Sequence, residues 1–147
     1  MSETATEAPR LERPTREHAL RFARATLVRG ERLDMQTLAA ALGGGRTTLY
    51  RWVGDREQLI GLVLADLAEG TWREMAAQAT GEGLDRGLDT IRRFMENTAA
   101  WAPLRDFARR EPRPALRVLL SEGCPVNEGL RAGFTRALED NDVAVDA

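Results

Sequence analysis

Residues 38–59 constrain this chain more than any other segment, because they place a helix break between short helical patterns. An apolar run ends at three consecutive glycines, residues 43–45, and glycine ends helices readily. Residues 46–53 resume a helical pattern in which Leu49 and Val53 lie four positions apart, which gives one apolar and one polar face. A third helical pattern begins almost at once. The segment therefore has the layout of a helix-turn-helix.

The rest of the chain also favours helices. Asp55 is followed three residues later by Gln58, which is the spacing of a capping box at a helix start. Helix formers dominate, and no stretch shows sustained period-two alternation. We therefore predict an all-α protein in which three N-terminal helices are joined by a long fourth helix to a helical bundle. The helices are expected between Thr15 and Gly30 and at about residues 35–42, 46–53, 56–78, 84–101, 104–110, 115–121 (preceded by Pro112 and Pro114) and 126–140.

The charge distribution supports a division into two parts. Residues 10–58 carry ten arginines and six acidic residues, whereas residues 59–147 carry eleven arginines and fifteen acidic residues. A basic N-terminal third on an acidic remainder fits contact with a polyanion. We predict a disordered tail over residues 1–13, a helix-turn-helix domain over residues 14–58 and a second helical domain over residues 59–147.

The sequence disfavours several classes of protein. No apolar run approaches the roughly 20 residues of a membrane span, and the acidic N-terminus is unlike a signal peptide. The chain has one histidine, His18, and one cysteine, Cys124, so neither a His/Cys metal site nor a nucleophile–histidine pair is expected. The glycine run lacks the ending of a phosphate-binding loop. We therefore predict a cytoplasmic protein that is not an enzyme and uses no cofactor, metal or membrane.

The polar face of residues 46–53 has the side chains that a helix needs in the major groove of double-stranded DNA. Candidates for base readout are Arg46, Thr47 and Arg51. Candidates for phosphate contacts are Thr48, Tyr50 and Arg56. Arg46 is at the N-terminal end, where a guanidinium can bind guanine in a bidentate way. Arg56 is in the first turn of the next helix, where the helix dipole also favours a phosphate. The alternative from these residues alone is an ordinary helical hairpin with a solvated polar face.

A set of positions in this region matches a known family. They are Gly30, Leu38-Ala39, Leu42-Gly43, Thr48-Leu49-Tyr50, Val53 and Asp55-Arg56-Glu57-Gln58-Leu59. Over about residues 15–65, the chain resembles the N-terminal domain of TetR-family repressors. Residues 30–34 and 49–57, together with Arg109-Arg110-Glu111-Pro112, are similar to the QsdR-like branch of that family.

The resemblance implies a repressor that binds a palindromic operator as a homodimer and is released by a small hydrophobic ligand in its C-terminal helical domain. It also implies that positions matching Gln36, Thr37 and Arg56 touch the DNA backbone. A second hypothesis is a helical small-molecule-binding or dimerising protein whose helix-turn-helix has no DNA-binding activity. Loss of salt-dependent binding to duplex DNA would distinguish the second hypothesis from the first.

Two departures from the family pattern carry expectations of their own. Gly44 and Gly45 stand where the family usually has an apolar residue and a Ser-like cap, so we expect a mobile recognition helix in the free protein. Family members usually continue past the position of Asn141 with two more helices that pair across the dimer axis. We therefore expect the C-terminal domain to lack these helices and to expose an apolar, association-prone face.

Large apolar side chains in the second half are candidates for a ligand cavity. They are Trp72, Met75, Phe94, Met95, Trp101, Phe107 and Phe134. For any one of them, plain core packing is the simpler interpretation. A cavity built from several of them would suit a hydrophobic ligand, whose identity the sequence leaves open.

Overall fold

The computed structural model describes residues 13–145, and within that range it contains eight helices and no strand. The all-α prediction is confirmed. The helices are α1 (Arg16–Val28), α2 (Met35–Leu42), α3 (Arg46–Val53), α4 (Arg56–Gln78), α5 (Gly83–Ala100), α6 (Ala102–Arg110), α7 (Pro112–Leu120) and α8 (Pro125–Glu139).

Local capping sets the bounds of the N-terminal helices. The Thr15 side chain accepts a hydrogen bond from the backbone N–H of His18 at the start of α1, over 3.3 Å. At α2, the Asp34 carboxylate accepts the backbone N–H of Gln36 over 2.9 Å. The helix ends at Gly43, whose φ of +63° lies in the left-handed region that glycine adopts without strain. These signals are contiguous in sequence, which is why the predicted bounds of α2 agree with the structure.

The long helix α4 runs along both parts of the molecule. Asp55 and Gln58 form the predicted capping box, with both hydrogen bonds at 2.8 Å. Leu59 and Ile60 are fully buried, and α4 packs against α1, α5, α7 and α8. One apolar cluster includes residues of the first three helices, of α4 and of α6 to α8. The core is therefore continuous across the predicted boundary at residue 58, and that boundary stays a prediction.

A second, smaller cluster holds the far end of α4 between α5 and α8. The rings of Trp72 and Phe94 are stacked with their centroids 3.7 Å apart, and Phe134 meets Trp72 edge-on at 5.2 Å. Gly133 lets α8 approach this stack, because a Cβ there would fall 2.2 Å from Trp72 Nε1. Aromatic stacking at this end fixes the position of α8 on α4.

The prolines of the second half lie in the first turns of helices rather than before them. We predicted a helix at residues 115–121 after Pro112 and Pro114, but α7 begins at Pro112. The helix predicted at 126–140 begins at Pro125, and the one predicted at 104–110 begins at Ala102. The physical reason is that the first-turn N–H groups have no intrahelical partner, so proline is tolerated there.

Three further predictions concern the N-terminal tail, membrane-spanning helices and metal-binding groups. Of the tail predicted over residues 1–13, residues 1–12 lie outside the described part of the chain. Within residues 13–145, no helix is long and apolar enough to cross a membrane. The same range contains no group of three or more His, Cys, Asp or Glu residues that could hold a metal ion.

Candidate nucleic-acid interface

Helix α3 has an exposed polar face, and its opposite face is buried in the core. Leu49 and Val53 are each only 2% exposed and anchor the helix in the core. On the outer side the exposed residues are Arg46, Thr47, Tyr50 and Arg51. Thr48 is half-buried beside the turn that precedes the helix. The residues predicted to approach DNA are thus brought together on one short helix.

The two arginines of this surface have no ion-pair partner within residues 13–145. Neither Arg46 nor Arg51 makes a side-chain hydrogen bond to any described residue, and both are exposed. Their guanidinium groups carry donors that match phosphate oxygens or the acceptor edge of guanine. The surface of α3 is therefore cationic and chemically available.

The N-terminus of α3 lacks the side-chain cap that the starts of α2 and α4 have. Gly45 is the N-cap and supplies no side-chain hydrogen bond, whereas α2 and α4 are capped by carboxylates. A groove of about 250 Å³ lies under the turn, lined by residues that include Pro14, Leu42, Gly44 and Trp52. At the other end, Arg16 Nε donates to the Trp52 carbonyl over 3.0 Å. The helix is thus fixed by its buried face and C-terminal end.

The start of α2 holds two more of the predicted DNA contacts. Gln36 and Thr37 are exposed in its first turn. The Thr37 hydroxyl donates to the Asp34 carboxylate over 3.2 Å. The backbone N–H of Gln36 donates to the same carboxylate, and this hydrogen bond lowers the pKa of Asp34. Asp34 therefore stays ionised and keeps α2 capped, while the Gln36 side chain extends from the helix end.

Arg56 lies in a different environment from the arginines of α3. Its Nη1 and Nη2 donate to the Glu111 carboxylate over 2.7 and 2.8 Å, and its Nε donates to the Leu33 carbonyl over 2.6 Å. The Arg56 side chain is only 21% exposed and that of Glu111 only 13%. The predicted phosphate contact is untested, but the structure gives this guanidinium a structural role between α4, the α1–α2 loop and α7.

Two further contacts near Arg56 join α6 to the α1–α2 loop and α7 to α4. Arg110 Nη1 donates to the Gly30 carbonyl over 2.6 Å. Arg117 on α7 donates to the Glu57 carboxylate over 2.6 and 2.9 Å and lowers the pKa of Glu57. Sequence reasoning missed this junction, which we define as Arg56, Arg110, Glu111 and Arg117 with their partners. The partners lie 23 to 80 positions apart, so no local spacing indicates them.

A cavity of about 400 Å³ lies between α1 and the five helices α4 to α8. Of the seven side chains predicted for a ligand cavity, Phe94 and Trp101 line it. Trp72, Met75 and Phe134 belong to the second cluster, and Phe107 is buried in the main core. Met95 is 52% exposed, because it follows Phe94 on α5 and one residue turns the helix to its solvent side. The structure therefore does not bring the seven together, and apolar composition alone could not select among them.

The third of the three N-terminal helices has one face buried in the core and an exposed, cationic face. Together these helices define a helix-turn-helix protein with an attached helical bundle. Residues 82–146 match the family model described as the tetracyclin repressor-like C-terminal domain. The structure of the R. erythropolis transcriptional repressor QsdR, from the TetR family, is similar with a TM-score of 0.79 and 33% sequence identity, covering 90% of this chain and 71% of that one. No curated protein matches the chain. The chain belongs to the TetR family and is QsdR-like, so the predicted resemblance is confirmed.

Proposed function

We propose that this TetR-family regulator is a repressor that binds a palindromic operator as a homodimer through α3. The observation that carries the proposal is the cationic outer surface of α3, where the exposed arginines have no ion-pair partner among residues 13–145 while Leu49 and Val53 fix the helix. A dimer presents two such helices to successive major grooves, and its symmetry is the reason for a palindromic site. Operator binding also implies a cytoplasmic protein.

Each predicted DNA contact has a distinct role in this proposal. Arg46, Thr47 and Arg51 would read base edges, with Arg46 donating to guanine. The phosphate contacts that set the register would come from Gln36, Thr37, Thr48 and Tyr50. We leave Arg56 out of the interface, because contact with a phosphate would compete with its bonds to Glu111 and Leu33.

The second part of the proposal concerns release from DNA. A small hydrophobic effector would bind the cavity between α1, α4 and the C-terminal helices, whose lining is mainly apolar. Its volume, about 400 Å³, is within the range of small-molecule sites. The junction of α6 and α7 with α4 and the α1–α2 loop would link the cavity to the DNA-binding helices.

A gel shift tests the DNA-binding part. The probe is duplex DNA from upstream of the protein's own gene, and the variants are Arg46→Ala and Arg131→Ala. Arg131→Ala removes the same charge from an exposed position on α8, outside the helix-turn-helix. We expect salt-sensitive binding that Arg46→Ala weakens by about 1–3 kcal/mol and Arg131→Ala preserves. Absent or salt-independent binding would instead support a helical ligand-binding protein without DNA-binding activity.

A further inference from the structure

The lining of the cavity includes a charged side chain among mostly apolar ones. Its walls include Leu64, Leu67, Phe94 and Leu130, and within the described part of the chain Arg24 is the one charged residue in the lining. Arg24 belongs to α1, which packs on α2 and α3. The charged end of the cavity is therefore contributed by the DNA-binding half of the molecule.

Arg24 is engaged through only part of its guanidinium. Its Nη1 donates to Asp66 Oδ2 on α4 over 2.7 Å, and its other donors have no partner among residues 13–145. The two side chains are 53% and 66% exposed, and ion pairs this exposed contribute little to stability. Asp66 itself does not line the cavity. The carboxylate of a ligand bound in the cavity could thus replace Asp66 as the partner of Arg24 at a small cost in free energy.

We propose that the cavity binds an amphipathic carboxylate, with its apolar tail among Leu64, Leu67 and Leu130 and its head group on Arg24 in place of Asp66. This inference rests on the effector cavity of the proposed function and specifies the chemistry of the effector. A guanidinium binds a carboxylate through two parallel hydrogen bonds, whereas Asp66 receives one. The apolar tail would pack against the apolar lining of the cavity, and the anionic head group would pair with the guanidinium of Arg24.

The same exchange changes how α1 is attached to α4. Asp66 and Arg24 form a direct polar link between these helices, and the bound head group would break it. Because α1 packs on α2 and α3, ligand binding would remove one polar link between the three N-terminal helices and α4, while the apolar contacts between α1 and α4 remain. Occupancy of Arg24 would thus connect the ligand's charge to the helix that supports α2 and α3.

Isothermal titration of the full chain with octanoate and with 1-octanol tests the proposal, since the two probes share a tail and differ in the head group. We expect octanoate to bind about fivefold more tightly than 1-octanol. Arg24→Ala should reduce the octanoate affinity to that of the alcohol. Asp66→Asn should raise octanoate affinity about threefold, because the competing carboxylate is gone. Arg21→Ala, on the exposed face of the same helix, is the matched control and should change neither affinity.

Three results would overturn the proposal: equal binding of the two probes, discrimination that survives Arg24→Ala, or no binding of either probe. These results are separable from failure of the proposed function. Titration with octanoate involves no DNA, whereas the gel shift with Arg46→Ala involves no ligand.

Discussion

The arginines of α3 and those of the junction between α4, α6 and α7 are chemically identical and lie in opposite environments. Arg46 and Arg51 are exposed and have no ion-pair partner within residues 13–145. Arg56 donates two hydrogen bonds to the carboxylate of Glu111, between α6 and α7, and Arg117 donates at least two to that of Glu57 on α4. Pairing, rather than the presence of positive charge, therefore separates the candidate DNA interface from the structural framework.

Removing the two unpaired arginines should affect DNA binding without affecting the fold. We expect Arg46→Ala and Arg51→Ala each to weaken operator binding by about 1–3 kcal/mol, because each removes a donor pair from the groove. Fluorescence anisotropy with the upstream duplex measures the affinity, and thermal unfolding measures stability. A fall in stability that matched the loss of binding would place these arginines in the framework instead.

Breaking the junction should have the opposite pattern. Arg56→Ala leaves the Glu111 carboxylate, which is only 13% exposed, without its bidentate partner. We expect a loss of about 1–3 kcal/mol in the free energy of unfolding, the range for hydrogen bonds to charged groups. Urea titration measures it, and Glu111→Ala with the double variant completes the thermodynamic cycle. Additive effects in the cycle would show that the pair is not coupled.

Substitutions at the glycines before α3 test whether the start of this helix is the least stable part of the helix-turn-helix. Gly45 has a φ of −72°, and no atom lies within 4 Å of a Cβ built there, so Gly45→Ser supplies a cap without strain. We expect about 0.5–1 kcal/mol of added stability and slower hydrogen exchange at the start of α3. Gly43→Ala is the control, because its φ of +63° makes a side chain unfavourable by about 1 kcal/mol. Unchanged exchange in Gly45→Ser would mean that α3 is already rigid.

Asp89 on α5 is a carboxylate that accepts hydrogen bonds from two arginines, so it extends the comparison to the acidic partner of an ion pair. Arg93, the backbone N–H of Thr80 and Arg92 all donate to Asp89 and hold its pKa well below the usual range. A lowered pKa in the folded state gives stability that is present above the unfolded pKa and is lost as the pH falls toward the folded one. We expect urea stability to decrease below about pH 4 in the wild type, and less steeply in Asp89→Asn. Parallel pH profiles for the two proteins would contradict this assignment.

Local signals account for the parts of the fold that the sequence predicted well. Asp34, Gly43 and the Asp55–Gln58 box define α2, α3 and α4 from neighbouring residues, and the bounds of these helices agree with the structure. The exposed face of α3 follows from the spacing of Leu49 and Val53 in the same way. Such features need no knowledge of which helices meet in space.

The junction and the cavity depend on tertiary packing and could not be predicted so well. The start of a helix indicates a phosphate contact for Arg56, and that contact stays a prediction, whereas no local spacing indicates its hydrogen bonds to Glu111, 55 positions away. Met95 and Phe94 are adjacent apolar residues, yet one is 52% exposed and the other 1%. Only the position of α5 against α4 and α8 decides which of them reaches the interior.

The salt dependence of DNA binding tests the central distinction most directly. We would measure the affinity for the upstream duplex at several salt concentrations, for the wild type, the Arg46→Ala/Arg51→Ala double variant and Arg117→Ala. Each arginine near DNA releases counterions, so the slope of log K against log salt should become shallower by about 1–2 in the double variant. Arg117→Ala should leave the slope unchanged. A slope that changes with Arg117 and not with the arginines of α3 would contradict the account.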